Sequence, residues 1–168
     1  MESSFELDIT GFNKLTEEVS LDISRRKKIN QAFTKVGYGP WSGGVEGEGA
    51  EAGLTKVAIA VWNEYGTSSY GFKHIPSRPF MQQAFNKRIE EIKEVSASLH
   101  LQYLNGEISE KQALARLGEW YAGEIKEEIL SGDFTPNAAS TVAKKGSSRP
   151  LVDTGLNLLG GVDHIEVL

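Results

Sequence analysis

Between Ile75 and Phe80 the chain reads Ile-Pro-Ser-Arg-Pro-Phe, and no other stretch restricts the backbone as much. Pro76 and Pro79 lock their own φ at about −65° and push Ile75 and Arg78 out of the helical region. Pro79 also suits the first position of a helix, where its missing N–H costs nothing. Upstream, Leu54, Val57, Ala58, Val61, Trp62 and Tyr65 recur at spacings of three and four and stop at Gly66. That spacing predicts a helix closed by a glycine just past its end. The alternation of Val57, Ile59 and Val61 keeps a strand as the second reading. Downstream, Met81, Ala84, Phe85, Arg88, Ile92, Val95 and Leu99 carry one helical stripe on to about Leu104. Leu54 to Phe85 therefore reads as a joint, with apolar anchors at both ends. The polar and aromatic residues Thr67 to His74 and the proline-stiffened segment lie between them.

The rest of the chain is organised around that joint. The helix after Pro79 stops at Asn105-Gly106, and Ser109-Glu110-Lys111-Gln112 reads as a capping box for the next. This next helix carries Leu114, Leu117, Tyr121, Ile125 and Ile129 on one face, so residues 80–131 are expected to form an antiparallel helical hairpin. At the start of the chain, Phe5, Leu7 and Ile9 alternate with acids and predict a short strand. From Phe12 the spacing becomes helical, and a long helix is expected to about Thr34. Lys35 to Tyr38 reads as a second strand, ended by Gly39-Pro40. Residues 41–53, Trp-Ser-Gly-Gly-Val-Glu-Gly-Glu-Gly-Ala-Glu-Ala-Gly, read as a flexible acidic loop, because glycines and small residues cannot build a core. No Lys-Ser/Thr pair follows to make it a phosphate loop, and the spacing of a calcium loop is absent.

Beyond the hairpin, Gly132 is the expected stop. Phe134-Thr135-Pro136-Asn137 reads as a cap with proline at the first position of a short helix to about Lys145, followed by a turn at Gly146-Ser147-Ser148. Asp153 or Thr154 is placed to cap a short helix from Leu156 to Leu159, broken by Gly160-Gly161. His164 to Leu168 alternates and closes the chain as a strand, expected to pair with Phe5–Ile9 or with Lys35–Tyr38. The expected fold is one α+β domain over residues 1–168. It has a small antiparallel or mixed sheet of about three to four short strands, packed with a long N-terminal helix and the central hairpin.

Composition narrows the chemistry. A chain of 168 residues, 39% hydrophobic and 24% charged, suits a folded globular domain. Cysteine is absent, which excludes disulfides, thiolate catalysis and Cys-ligated zinc. None of His74, His100 and His164 sits beside a second ligand at metal spacing, and no Gly-x-Ser-x-Gly elbow exists. The acid pairs Glu90-Glu91 and Glu127-Glu128 diverge by about a quarter turn on a helix and read as solvated. A net charge of −5 opposes a dedicated nucleic-acid binder. The Arg25-Arg26-Lys27-Lys28 run points in several directions on a helix and reads as a solvated face, with a phosphate contact as the alternative. Tyr65, Tyr70, Phe72 and Lys73 come nearest to a stacking surface for single strands and read instead as packing residues. No apolar run approaches the ~20 residues needed to span a bilayer, and the acidic N-terminus lacks a signal-peptide core. No enzymatic activity, cofactor or metal is expected.

The joint and the C-terminal segment also form a pattern when taken together. Asn-Glu-Tyr-Gly-Thr (Asn63 to Thr67) is followed by Ile-Pro-Ser-Arg-Pro-Phe at a helix start. Later comes Phe-Thr-Pro-Asn-Ala-Ala-Ser-Thr-Val-Ala-Lys-Lys-Gly-Ser-Ser-Arg-Pro-Leu-Val-Asp-Thr-Gly-Leu-Asn-Leu-Leu (Phe134 to Leu159). In that order and spacing the chain resembles the neck and tail-completion proteins of tailed bacteriophages, the small head–tail joining or virion morphogenesis proteins. The long acidic loop and the long hairpin depart from the family's simplest members. The resemblance implies a structural virion protein, made in the bacterial host cytoplasm and located at the neck or tail. It implies a homo-oligomeric ring, hexameric or a multiple of six, between portal or connector proteins and tail-tube or tail-terminator proteins. It implies no membrane partner, and nucleic acid only through proximity to the DNA channel. A tail terminator capping the tube is the second reading. A small phage-encoded enzyme and a nucleic-acid-contacting module are the readings outside the class.

Within that pattern Arg78, held between two prolines, suits a bidentate carboxylate contact. Glu64 is the first candidate partner, within the subunit or across a ring interface, and Asp153 the alternative. Asp153-Thr154 also reads as an N-cap and nothing more. The assembly candidates are Glu64, Tyr65, Arg78, Phe80, Asp153 and Thr154, although Phe80 and Leu151 read as core before interface.

Overall fold

The structure of the chain, a computed structural model, describes Ser20, Ser24 and residues 32–44, 54–67, 74–146, 148–152 and 158–168. Helix α1 (Lys56–Tyr65) starts where the Thr55 hydroxyl accepts the Ala58 N–H at 3.1 Å. The helical reading of this stretch holds over the strand reading. Gly66 ends it with φ +75°, and an added Cβ there would stand 2.9 Å from both Ile75 O and Ser77 N. Only glycine fits, because the backbone of the proline segment passes directly over it. The base of the intervening link is pinned by Thr67 N–H to Ile75 O at 2.9 Å and Ile75 N–H to Thr67 Oγ1 at 3.0 Å.

Helix α2 (Phe80–Leu104) begins one residue later than its proline suggests. Pro79 is the N-cap, at φ −77° and ψ 65°, and Phe80 the first helical residue. A proline offers no side-chain acceptor at that position, which matters below. Helix α3 (Glu110–Ser131) opens with the expected capping box, Ser109 and Gln112 exchanging side-chain and backbone bonds at 2.8 and 3.2 Å. The two helices form the antiparallel hairpin. Ala84 and Ala122 are buried in it, and small side chains there let the helices approach closely. Lys87 Nζ bonds both oxygens of the buried Glu128, at 2.7 and 2.8 Å, and Arg88 Nε lies 2.6 Å from Glu124. Phe80, Ile125 and Ile129 are the largest fully buried side chains, and Phe134, Leu151, Leu158 and Val162 close over them.

Strands β1 (Phe33–Gly37) and β2 (Asp163–Val167) pair antiparallel, with Phe33 opposite Val167 and Val36 opposite His164. The closing strand thus takes the second of its two expected partners. Among the described residues the sheet has two strands rather than the expected three to four. Phe33 and Thr34 belong to β1, not to the end of a long helix, because the alternation that exposes Phe33 and Lys35 begins there. Apart from Ser20 and Ser24, which are helical, residues 12–31 of that expected helix lie outside the described residues, as does the Phe5–Ile9 strand. The ribbon lies on α3 at Gly118, where an added Cβ would stand 2.5 Å from the His164 ring.

Three loop expectations also change. Trp41 and Ser42 form a one-turn 3-10 helix (Pro40–Ser42) tied down by Ser42 Oγ donating to Gly161 O at 2.7 Å. Gly44 bridges Thr55, and residues 45–53 lie outside the described residues. Helix α4 (Ala139–Lys145) starts three residues after Pro136, since Phe134 to Asn137 has no regular secondary structure and is held elsewhere. Leu156 and Asn157 of the expected Leu156–Leu159 helix lie outside the described residues, and Gly160 and Gly161 belong to a second 3-10 turn, Leu159–Gly161.

Candidate functional site

The proline segment delivers Arg78 to the inside of the molecule. Its residue exposure is 6%, and its guanidinium meets no carboxylate among the described residues. Nε donates to Thr135 O at 2.8 Å, and Nη2 to Pro136 O at 3.3 Å and to Asn137 Oδ1 at 3.2 Å. Nη1 donates to Asn63 Oδ1 at 3.4 Å, and the Arg78 backbone N–H donates to Asn63 O at 2.6 Å. The planar fork of donors is what lets one side chain hold acceptors from two distant segments. Burial pulls the guanidinium pKa below its ordinary value. Asn137 extends the web, donating from Nδ2 to Arg149 O at 3.0 Å. Two residues on, Val152 N–H bonds Pro150 O at 2.7 Å around Leu151, which is buried at φ +64°. A bulky residue in that conformation is strained, and burying its side chain in the core offsets the strain. The expected pairing of Arg78 with Glu64 is therefore replaced by a node of neutral acceptors. The same acceptors explain why Pro136 cannot start a helix: the Thr135 and Pro136 carbonyls already point inward at the guanidinium.

Glu64 is also buried, with 8% exposure, rather than an exposed acid. Its Oε2 accepts the Met81 N–H and its Oε1 the Gln82 N–H, both at 3.0 Å. These are two of the orphan donors at the start of α2. Because Pro79 brings no capping side chain, Glu64 reaches across from α1 and caps α2 instead, where the helix dipole also favours its charge. Its backbone oxygen meanwhile accepts the Ser77 hydroxyl at 2.7 Å.

Beside this node lies a groove of about 500 Å³. Its floor is Tyr38, Ala60, Glu64 and Tyr121, and its rim carries Val61, Tyr65 and Phe85. The rim side chains are exposed, Tyr65 at 79%. Tyr38 is fixed by donating to Leu158 O at 2.7 Å and by an edge-on contact with Phe80. Burial first, and then the charge of Glu64, pushes the hydroxyl pKa of Tyr38 and that of Tyr121 above the ordinary tyrosine value. Both tyrosines therefore sense the same carboxylate.

The structure thus gathers Glu64, Arg78 and Phe80 into the buried joint and leaves Tyr65 at the surface; Asp153 and Thr154 lie outside the described residues. Sequence reasoning missed Asn63, Asn137, Tyr38 and Tyr121. The two asparagines sit inside the quoted motifs, but the tyrosines come from separate elements that only the fold unites. Among the described residues no group of His, Asp and Glu is arranged to hold a metal ion, and no helix is long and apolar enough to cross a membrane. No family model matches the chain, and no curated protein or solved structure matches it significantly.

Proposed function

We propose that this chain is a structural virion protein of a tailed bacteriophage, assembling as a ring at the head–tail junction as a neck or tail-completion protein. The observation that carries the reading is the meeting of the motif's pieces. Asn63 and Glu64 of the first element, Ser77 and Arg78 of the second, and Thr135 to Asn137 and Arg149 of the third bond to one another in a single node. Residues that look like a family pattern in the sequence thus act as one mechanical unit, which supports treating the pattern as a whole. That unit makes a rigid corner, and an assembly protein needs such a corner to present a fixed surface to its neighbours. A ring requires a heterologous contact, one patch of each subunit meeting a different patch of the next. Tyr65, Val61 and Phe85, set on the rim beside the corner, are exposed apolar residues of the kind such a contact buries.

Immunogold labelling of tailed particles from cells that express this chain tests the proposal. Label at the junction between head and tail is expected. Label absent from particles, or confined to the head shell or the tail tip, overturns it. Light scattering and negative-stain imaging of the purified protein are expected to show closed rings of one size.

A further inference from the structure

The groove beside the joint has one unusual property. Among the described residues Glu64 is the only charged one lining it, and the rest of that lining is apolar or aromatic apart from Gln82. A carboxylate has about four acceptor positions, and the two N–H bonds to α2 occupy two of them. No Lys or Arg among the described residues forms an ion pair with Glu64. The partial positive charge of the helix start, roughly half a unit, leaves the floor negative. Tyr38 and Tyr121 lie beside it in the floor, and Tyr65 and Phe85 stand at the rim. An anionic floor with aromatic walls suits a cation carried on an apolar stem. The stem fills the space between the walls, and the cation meets the carboxylate and ring faces. Lysine and arginine side chains have this form. One exposed cation of the chain, Lys111, makes no ion pair among the described residues.

We infer that the groove floored by Glu64 and rimmed by Val61, Tyr65 and Phe85 receives a lysine or arginine side chain from a neighbouring copy of this chain. The inference rests on the ring reading for the identity of the donor, and on the groove's own charge and shape for the chemistry. It gives the heterologous contact its concave half. It also explains why the acid that caps α2 faces a cavity open to solvent instead of being sealed under the core.

Two measurements test it. The first titrates the uniformly 15N-labelled protein with butylammonium and with its neutral isostere 1-butanol, following the amides of Tyr65, Gly66 and Phe85. Butylammonium is expected to bind about ten-fold more tightly than the alcohol. Equal binding of the two, or binding of neither, overturns the proposal without touching the ring reading. The second compares self-association of the wild type with Tyr65→Ser and Val61→Lys by light scattering over a range of concentrations. Both substitutions fall on exposed positions, so folding is expected to be intact by circular dichroism. Ring formation is expected to weaken at least ten-fold in each, because one removes a wall and the other puts a cation of the same subunit at the rim. Rings that form as readily as wild type overturn the groove contact and leave the ring reading standing. Butylammonium binding in a chain that never self-associates overturns both the second copy as donor and the ring.

Discussion

The two ends of the helical hairpin are built on different principles. At the end near Pro79, charged and polar groups are buried and satisfied: Arg78 in four neutral acceptors, Glu64 on two backbone N–H groups, Glu128 on Lys87. At the end near Asn105, Leu99 and Tyr103 are buried, and the polar contacts among the described residues include local ones: the Ser109–Gln112 box, Asn105 to Glu107, and a 3.4 Å reach from Arg116 to Gln102. A buried polar network has essentially one arrangement that satisfies every member, so it fixes geometry. Local caps stabilise a helix end but say nothing about where that end points. The near end is therefore the rigid corner and the far end the more compliant arm.

Breaking the corner should have the largest effect. Arg78→Ala leaves the Thr135 and Pro136 carbonyls without donors and empties a buried volume, at a cost of about 3–5 kcal/mol in urea unfolding. The sequence pattern alone suggests that Arg78 serves assembly; its burial makes folding the first property to fail. Glu64→Gln keeps the shape but loses the charge and one acceptor of the cap, and should cost about 2 kcal/mol. The amide's own N–H groups then face the α2 donors, so amide exchange should accelerate at Met81 and Gln82 first.

Alkaline pH tests the groove floor. Tyr38 and Tyr121 have folded pKa values above the ordinary one, so both stay protonated in the folded chain at pH values where the unfolded chain ionises. Above about pH 10 the unfolded state binds fewer protons than the native state, and stability falls as pH rises. The stabilisation is complete below about pH 10 and is lost progressively above it, with a slope that approaches about 1.4 kcal/mol per pH unit for buried Tyr38 and is smaller for half-buried Tyr121, which water screens. Tyrosinate absorbance in the folded protein should lag behind that of the urea-unfolded protein. The smallest effect belongs to the far end. Ser109→Ala should cost about 1 kcal/mol and raise exchange only around the 105–112 turn, leaving the groove amides unchanged. A loss comparable to that of Arg78→Ala would dissolve the distinction between the two ends.

What could be read from the sequence follows the same division. The hairpin, its Asn105-Gly106 stop and its capping box were legible because periodicity and caps are local. The pairing of the closing strand was half legible: alternation marked the strand, but only the register of Val36 opposite His164 chose its partner. The role of Arg78 was misread for a physical reason. A cation between prolines suggests an anion, and nothing local reveals that carbonyls some 57 residues away will be turned toward it. Glu64 was legible as a contact of the joint, but its capping of α2 depends on Pro79 taking the cap position rather than the first helical one. The groove was not legible at all, because Tyr38, Glu64, Phe85 and Tyr121 come from four parts of the chain. Pro136 reads as a helix start by a rule that holds unless a tertiary donor claims the carbonyls first.

The central claim is that Arg78 physically joins the two halves of the motif. A double-mutant cycle of Arg78→Lys and Asn137→Ala, measured by urea denaturation, tests it most directly. Lysine keeps the charge but loses the fork, so the cycle isolates the Nη2 bond to Asn137, 3.2 Å long, from its bond to Arg149. The account predicts a coupling of about 1 kcal/mol between the two positions. Strict additivity would contradict it.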